Sequence, residues 1–305
     1  MGRLILGTRG SDLALRQTQI LQESLAAAGV QAEIEIRIVT TSGDRRSAAE
    51  EPTSLDPGVG LFTRELEEAL RRGEIDAAVH SLKDLPVDLA PDFLLGAVME
   101  RAQTADVLIS RTPGGVQTLP PGARVGTGSP RRATQLTAIR PDLQISDFRG
   151  NVPTRLRKLA TQPEFDAIVL AQAGLERLGL FPPTGMLELE GVTLAMDPIP
   201  EMLPAPGQGA VAIEIRAADA AALATLSHVH HAETADCTEA ERNLLRLIGG
   251  GCQLPLGALA RREHGAIRLR AILFEPGRTR PRRADVSHST PAAAAAAAFD
   301  AFHAC

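Results

Sequence analysis

One cysteine of this chain stands in an unusual setting, within the stretch LLRLIGGGCQLPLGALA. Cys252 follows three glycines and is followed by Gln-Leu-Pro, a composition that predicts a loop. A structural cysteine is usually a small apolar filler inside a regular element, and a zinc ligand usually has a second cysteine or histidine nearby. Neither pattern applies here. The open question is what chemistry a thiol on a loop could serve.

Arginines and capping serines collect where predicted strands run into predicted helices. The residues at these junctions are Arg9, Ser11, Ser129, Arg131, Arg132, Arg149 and Arg155. In an α/β sheet, the strand ends and the following helix N-termini line the ligand crevice. Helix N-termini present free N–H groups, and arginine adds bidentate donors for carboxylate or phosphate. The pattern predicts a ligand that carries several negative groups.

Asp84 follows the predicted strand IDAAVHS, at the same edge of the sheet. A carboxylate among arginines either balances their charge or steadies a cationic ligand whose periphery the arginines hold. The spacing leaves both readings open. The preceding Lys83 is one of only two lysines, beside Lys158, in a chain with 32 basic residues. A GC-rich genome explains most of that bias, but an ammonium and a guanidinium are not equivalent donors.

The totals exclude several classes of protein. A length of 305 residues predicts two or three domains, and a net charge of −5 argues against general nucleic-acid binding. Three widely spaced cysteines argue against a disulfide framework and favour a reducing cytoplasm. No apolar run approaches membrane-spanning length, and no signal-peptide pattern follows Met1. His228, His230 and His231 lie close together, but histidines without distant ligands are a weak zinc signal, so no metal is expected.

The elements that must position these residues alternate between strand and helix. RLILGT predicts a strand and DLALRQTQILQESLAAAG a helix capped by Ser11. The plan recurs in RVGTGSPRRATQLTAI, and FDAIVLAQAGLERLG likewise echoes IDAAVHSLKDLP. These echoes predict two similar α/β domains. AEIEIRIVTT predicts a second strand, the polar stretch SGDRRSAAEEPTSLDPGVG that follows it predicts a surface loop, and LFTRELEEALRRG predicts an amphipathic helix.

The last third of the chain shows a different pattern of predicted elements. After the proline-rich DPIPEMLPAPGQG, the stretch AVAIEIR predicts a strand that returns to the first domain. ETADCTEAERNLLRLIGG then predicts a helix ending in glycine, and ALARREHGAIRLRAILF a hairpin turning at His264-Gly265. A terminal helix capped by Thr290 begins at Pro291. The segment 278–290 suggests no structure or role.

Six motifs, in order, resemble those of the porphobilinogen deaminase (hydroxymethylbilane synthase) family. They are HSLKDLP, VGTGSPRR, FRGNVPTRL, LAQAGLERLGL, LPAPGQGAVAIE and ERNLLRLIGGGCQLPLG. The resemblance covers nearly the full length. It implies two α/β domains of the type II periplasmic-binding-protein kind and a small α/β C-terminal domain with a short antiparallel sheet. The expected division is 1–104 with 197–218, then 105–196, then 219–305, which carries Cys252.

The resemblance also implies an activity. Four porphobilinogen molecules are condensed head to tail with loss of ammonia, on a dipyrromethane primer that is linked to the cysteine through a thioether. The linear product, hydroxymethylbilane, is then released by hydrolysis. Cys252 would thus anchor the cofactor and would not act as a turnover nucleophile. A cytoplasmic monomer that binds porphobilinogen, with neither nucleic acid nor membrane as a partner, is expected.

Carried over motif by motif, the resemblance assigns most residues of the crevice. The residues expected to bind the cofactor, besides Cys252, are Ser81, Lys83, Thr127, Ser129, Arg131, Arg132, Arg149, Gly150 and Arg155. The residues expected to bind substrate are Arg9, Ser11, Phe62, Arg149, Arg155 and Arg177. Asp84 would stabilise the cationic azafulvene-like species that forms as ammonia leaves. The polar loop before Phe62 would act as a lid.

Two departures and two alternatives remain. Pro130 stands where family members often have leucine, and Arg64 where they often have lysine; proline suits a first helical position. A non-catalytic two-domain anion-binding protein has no use for GGGCQLP or Asp84, and usually needs an export signal. A thiol enzyme using Cys252 as nucleophile needs a base within reach, which the sequence cannot show.

Overall fold

The computed structural model describes residues 2–40, 63–249, 254–275 and 280–304. The predictions for Cys252, for Phe62 and for the lid loop at 42–60 therefore lie outside the described residues. The strands are β1 (Arg3–Thr8), β2 (Glu33–Ile38), β3 (Ala77–Ser81), β4 (Phe93–Val98), β5 (Asp106–Ser110), β6 (Arg124–Gly126), β7 (Gln144–Ser146), β8 (Ala167–Ala171), β9 (Met186–Leu189), β10 (Val192–Pro198), β11 (Val211–Arg216), β12 (Leu256–Glu263), β13 (Ala266–Leu273) and β14 (Arg282–His288). The helices are α1 (Asp12–Ala27), α2 (Arg64–Arg71), α3 (Pro130–Ile139), α4 (Val152–Thr161), α5 (Gln172–Arg177), α6 (Ala220–Leu226), α7 (Ala232–Ile248) and α8 (Pro291–His303).

The first domain is a five-stranded sheet with the order β2-β1-β3-β11-β4. Side chains alternate between its two faces, so Leu6 packs with Leu21 of α1 on one face, and the neighbouring Ile5 packs against the cluster of Leu66 of α2 on the other. The strand β11 runs antiparallel to both β3 and β4. The predicted return of AVAIEIR to the first domain is therefore confirmed.

The second domain repeats this plan, as the echoes in the sequence predict. Its sheet has the order β7-β6-β8-β5-β10-β9, in which β6 pairs in parallel with β7 and β8, and β5 is the antiparallel strand beside β8. The repeat extends to individual hydrogen bonds. Asp76 accepts a hydrogen bond from the backbone N–H of Ile5 at 2.8 Å, and Asp166 accepts the equivalent bond from Arg124 at 2.7 Å.

The third domain packs α7 and α8 on one three-stranded antiparallel sheet with the order β12-β13-β14. Its core includes Leu244 and Phe302. The turn at His264-Gly265 is confirmed, and both residues have the positive φ that a tight hairpin of this kind requires. The helix α7 ends at Gly249 in the left-handed conformation, as predicted. The strand β14 is new, because it lies in the segment for which the sequence suggests nothing.

Core packing describes what surrounds two ends of the predicted division. The strand β10 extends to Pro198, and Ile199 and Met202 pack with Leu108 and Val125 of the second sheet. Ala222 and Leu226 of α6 pack with Leu4 and Leu6 of the first sheet. The predicted division into three domains stays a prediction, and the α/β fold class is confirmed.

Candidate active site

A short 3-10 turn, Leu82–Asp84, presents Lys83 and Asp84 directly after β3. Leu82 and Leu85 are buried on either side, which fixes the turn to the core. Gly207 lies against this turn with φ +76°, and a Cβ there would come within 3.0 Å of Leu82. Asp84 itself is exposed. The turn thus holds its backbone against the core while leaving the carboxylate open to a ligand.

Ser81 closes β3 and is held by a residue of α1. The Gln17 Nε2 donates to Ser81 Oγ at 2.9 Å, and Gln17 is 3% exposed. The Ser11 hydroxyl caps α1 by accepting from Ala14 N at 3.4 Å. Arg9, half-buried, lies between the end of β1 and this cap. These residues put the expected substrate side of the site at the N-terminus of α1.

The second domain builds the matching edge at the N-terminus of α3. Ser129 caps that helix by accepting from Arg132 N at 3.4 Å, and Pro130 occupies its first turn, as predicted. Thr127, 5% exposed, accepts from Ser129 N at 3.2 Å. The hydroxyls of Thr127 and Ser129 therefore already shape the helix start.

Arg131 and Arg132 are buried, at 4% and 5% exposure, against one carboxylate. Arg131 Nη1 donates to Asp106 Oδ2 at 2.6 Å, and Arg132 Nε donates to Asp106 Oδ1 at 3.0 Å. Asp106 is fully buried. Arg132 Nη1 also donates to the carbonyl of Val169 at 3.0 Å. The two arginines are thus fixed by the protein before any ligand arrives.

Arg149 and Arg155 flank the N-terminus of α4. Asn151 caps this helix by accepting from Thr154 N at 2.9 Å, so the helix begins at Val152. Arg155 Nε donates to the carbonyl of Gly150 at 2.7 Å. Arg149 is 80% exposed in its side chain and pairs with Asp147 at 2.8 Å. Arg149 is therefore free to reorient toward a ligand, whereas Arg155 is held.

Arg177 lies apart from this cluster, at the crossing between the first two domains. Its Nη2 donates to the carbonyl of Gly209 at 2.7 Å. Burial lowers the pKa of its guanidinium. The expected part of Arg177 in substrate binding stays a prediction.

Several of the predicted residues lie close enough to shift one another's pKa. Burial lowers the pKa of Lys83 to about 8, Asp84 and Asp106 oppose that change, and Arg131 and Arg132 add to it. Burial, then the neighbouring Arg132, lowers the pKa of Arg155 to about 10, and Asp84 opposes it. Asp84 and Arg132 therefore lie close enough to influence both Lys83 and Arg155.

Three residues of this site escaped the sequence analysis. Asp106 stands at the start of β5, and its only signal was an acidic residue opening an apolar strand. Gln208 lies in the quoted motif LPAPGQGAVAIE, is fully buried, and donates to Asp106 Oδ1 at 3.1 Å. Gln17 gave no signal beyond a polar residue on a helix. All three act through contacts between distant parts of the chain.

The histidine cluster has structural roles in the described residues. His230 Nδ1 accepts from Val98 N at 3.3 Å, and His231 caps α7. No group of side chains that could hold a metal ion occurs in the described ranges. Among those same residues, no helix combines the length and the apolar character needed to cross a bilayer.

Comparison with known proteins identifies the family. A family model described as "Porphobilinogen deaminase, dipyromethane cofactor binding domain" matches residues 4–224, and one described as "Porphobilinogen deaminase, C-terminal domain" matches residues 235–298. The porphobilinogen deaminase of Syntrophobacter fumaroxidans is 42% identical over 268 residues, covering 88% of this chain and 83% of the relative. That of Desulforudis audaxviator is 46% identical over 270 residues, covering 88% and 84%.

Among solved structures, the probable amino-acid ABC transporter extracellular-binding protein ytmK from Bacillus subtilis matches with a TM-score of 0.44 and 9% identity. The match covers 75% of this chain and 90% of the other. At that score the likeness carries no argument about function.

Proposed function

This chain belongs to the porphobilinogen deaminase family, and from that premise we propose how its residues divide the work. The reaction is the head-to-tail condensation of four porphobilinogen molecules with loss of ammonia, followed by hydrolytic release of hydroxymethylbilane. The chain is thus a transferase of tetrapyrrole biosynthesis, and dipyrromethane is its cofactor. The family match carries this conclusion, and it disfavours a non-catalytic anion-binding protein.

The charges of the crevice fit a cofactor with several carboxylates. Two porphobilinogen-derived units carry four carboxylates, an acetate and a propionate on each ring. The coupled groups of the site comprise five cations, on Lys83, Arg131, Arg132, Arg149 and Arg155, against the carboxylates of Asp84, Asp106 and Asp147. In addition, the buried Nε of Arg131 has no hydrogen-bond acceptor among the described residues. A polyanionic ligand would balance this excess of positive charge.

We assign the cofactor to the edge formed by both domains. The residues that would hold it are Ser81, Lys83, Thr127, Ser129, Arg131, Arg132, Arg149, Gly150 and Arg155. When bound, the dipyrromethane supplies the pyrrole carbon to which the first substrate ring is joined. Gly150 supports this assignment. Its φ of +126° favours glycine, its carbonyl accepts the hydrogen bond from Arg155 Nε, and it has no side chain that could block the ligand.

Asp84 is the residue we propose for the chemistry itself. Loss of ammonia from porphobilinogen leaves positive charge delocalised toward the pyrrole nitrogen. Asp84 is an exposed carboxylate that lies near several cations, on a turn that is anchored to the core. A fixed carboxylate at that point would stabilise the developing cation without reorganising during the reaction.

The incoming substrate would be held on the first-domain side. Arg9 and Ser11 stand at the N-terminus of α1, where free N–H groups favour a carboxylate. Arg149 and Arg155 would receive the carboxylates of the growing chain, and Arg149 is exposed enough to follow them. Phe62 and Arg177 complete the proposed set. The cytoplasmic location, the monomeric state and the absence of nucleic-acid partners stay predictions.

We further propose that Cys252 carries the cofactor through a thioether. Cys237 is a poor alternative, because it is buried and burial raises the pKa of its thiol to about 11. The test is the intact mass of the purified protein, with Ehrlich's reagent as a second readout. Native protein and Cys237→Ala should carry an adduct of two linked pyrrole units and turn coloured, whereas Cys252→Ala should do neither. An adduct that persists in Cys252→Ala would refute the attachment.

A further inference from the structure

We propose that Asp106 is a positioning residue of the cofactor site, which holds the guanidiniums of Arg131 and Arg132 and the ammonium of Lys83 in one charged cluster. The inference rests on the proposed cofactor site but concerns a residue that none of the assignments above includes. Asp106 has no exposed surface. Its role would therefore be exerted through the residues it binds.

The contacts of Asp106 use both of its carboxylate oxygens. Oδ2 accepts from Arg131 Nη1 at 2.6 Å, and Oδ1 lies 2.8 Å from Arg132 Nη2 and 3.0 Å from Arg132 Nε. Oδ1 also accepts from Gln208 Nε2 at 3.1 Å. The other end of that amide, Gln208 Oε1, lies 3.5 Å from Lys83 Nζ. One carboxylate and one amide thus connect three cations.

Asp106 also lies where the chain crosses between the first two domains in both directions. It opens β5, directly after the outgoing crossing, and Gln208 belongs to the returning one. The two crossings touch, since Ala102 N donates to the carbonyl of Gly209 at 3.2 Å. Arg131 Nη1 donates to Leu203 O on the returning crossing as well, at 2.8 Å. Arg131 is therefore tied to the returning crossing.

Charge explains why this carboxylate is needed. Arg131 and Arg132 are buried side by side, and Lys83 is close enough to feel both. Buried like charges repel, and removing the partner of a buried ion leaves its desolvation cost uncompensated. Asp106 supplies the counter-charge, and the two arginines in turn hold its own pKa below the usual range. With Asp106 in place, the arginine forks are oriented before the cofactor carboxylates arrive.

The titration of Lys83 offers a test that does not depend on turnover. The full chain with Cys252→Ala serves as the cofactor-free background. It is compared with the same chain carrying Asp106→Asn, Asp106→Glu or, as the matched control, Asp142→Asn. Asp142 lies in the same domain and forms an ion pair with Arg140 at 2.8 Å, and its own side chain is exposed. Each protein is acetylated with acetic anhydride across a pH series, and the peptides are quantified by mass. Lys158, exposed and the only other lysine, is the internal standard.

The proposal and a merely structural role of Asp106 predict opposite directions for the shift in the Lys83 acetylation midpoint. Asp106 raises the pKa of Lys83, so Asp106→Asn should move the acetylation midpoint of Lys83 measurably to lower pH. Asp106→Glu and Asp142→Asn should leave it near the background value. If Asp106 only supported the fold, its loss would expose Lys83 and move the midpoint up, toward that of Lys158. An unchanged or raised midpoint in Asp106→Asn overturns the proposal.

Cofactor content is the second measurement, made with Cys252 present. Asp106→Asn should contain several-fold less adduct per chain than Asp142→Asn, and Asp106→Glu should recover part of it. If Asp106→Asn gives no folded protein, Asp106→Glu provides the test. Because it keeps the charge, the Lys83 midpoint should stay unchanged while cofactor loading falls. Full cofactor loading in Asp106→Glu would contradict the proposal. If Cys252→Ala itself keeps an adduct, the attachment fails, while the Lys83 titration still tests Asp106.

Discussion

Glu241 of the third domain and Arg101 of the crossing segment form a two-bond ion pair, with Nη1 2.7 Å from Oε1 and Nη2 2.9 Å from Oε2. Glu241 is fully buried and also accepts from the backbone N–H groups of Gly207 and Ala260, each at 2.7 Å. The carboxylate therefore joins the third domain to both crossings between the first two. Arg101 Nε continues this network by donating to Gln208 O at 2.9 Å.

Glu241→Ala should destabilise the protein by about 3–5 kcal/mol, because it leaves a buried guanidinium and two backbone donors without their acceptor. Thermal or denaturant unfolding measures the change. Asp285→Asn is the control, since Asp285 pairs with Arg268 on the surface of the same domain at 2.7 Å. Its unfolding midpoint should stay near that of the wild type. Equal effects of the two variants would show that burial of the Arg101 pair is irrelevant.

Asp84→Asn should slow hydroxymethylbilane formation by about a hundred- to a thousand-fold, because it removes a preorganised charge while keeping the size of the side chain. Asp84→Glu keeps the charge, displaced by a methylene, and should retain partial activity. Rates are compared after mass spectrometry has confirmed cofactor loading in both variants. A loaded Asp84→Asn as fast as the wild type would make Asp84 a bystander.

Arg→Lys changes should separate cofactor assembly from chain extension. A lysine at 132 cannot reproduce the paired Nε and Nη2 contacts with Asp106, and one at 131 loses the planar guanidinium that binds Asp106 and Leu203, so cofactor content should fall. Arg155→Lys loses the Nε bond to Gly150 and should slow extension about tenfold or more in loaded protein, as should Arg149→Lys. Arg157→Lys, on the exposed face of the same helix, is the control. Normal loading and rates in all four site variants would refute the carboxylate site.

Cys237 should resist alkylation in the native protein. Burial, followed by the charge of Glu241, raises the pKa of its thiol to about 11, so its thiolate fraction at pH 8 is about a hundredfold below that of a free thiol. Iodoacetamide labelling with peptide mass analysis should show slow modification that becomes fast in denaturant. Equally fast labelling of Cys237 in native and denatured protein would contradict this.

Local structure was the most predictable part of the fold. Ser11, Ser129 and Thr290 cap their helices as predicted, because a cap depends on residues only three positions apart. The strand β14 was missed for the opposite reason. Ala284 is its one buried residue, so RRADVSH shows little alternation, and only pairing with β13 makes it a strand.

The family and the type of chemistry can be read from local patterns: a cysteine in a glycine-rich stretch, arginines at strand-to-helix junctions, and six motifs in order. The repeated domain plan can be read in the same way, since Asp76 and Asp166 recur at matching places. The contacts of Asp106 and Gln208 with Arg131, Arg132 and Lys83 appear only in the folded structure. Gln208 lies 102 residues from Asp106 along the chain, and Asp106 lies 25 residues from Arg131. Contacts at such separations follow from how strands and crossings pack, which no local pattern of residues encodes.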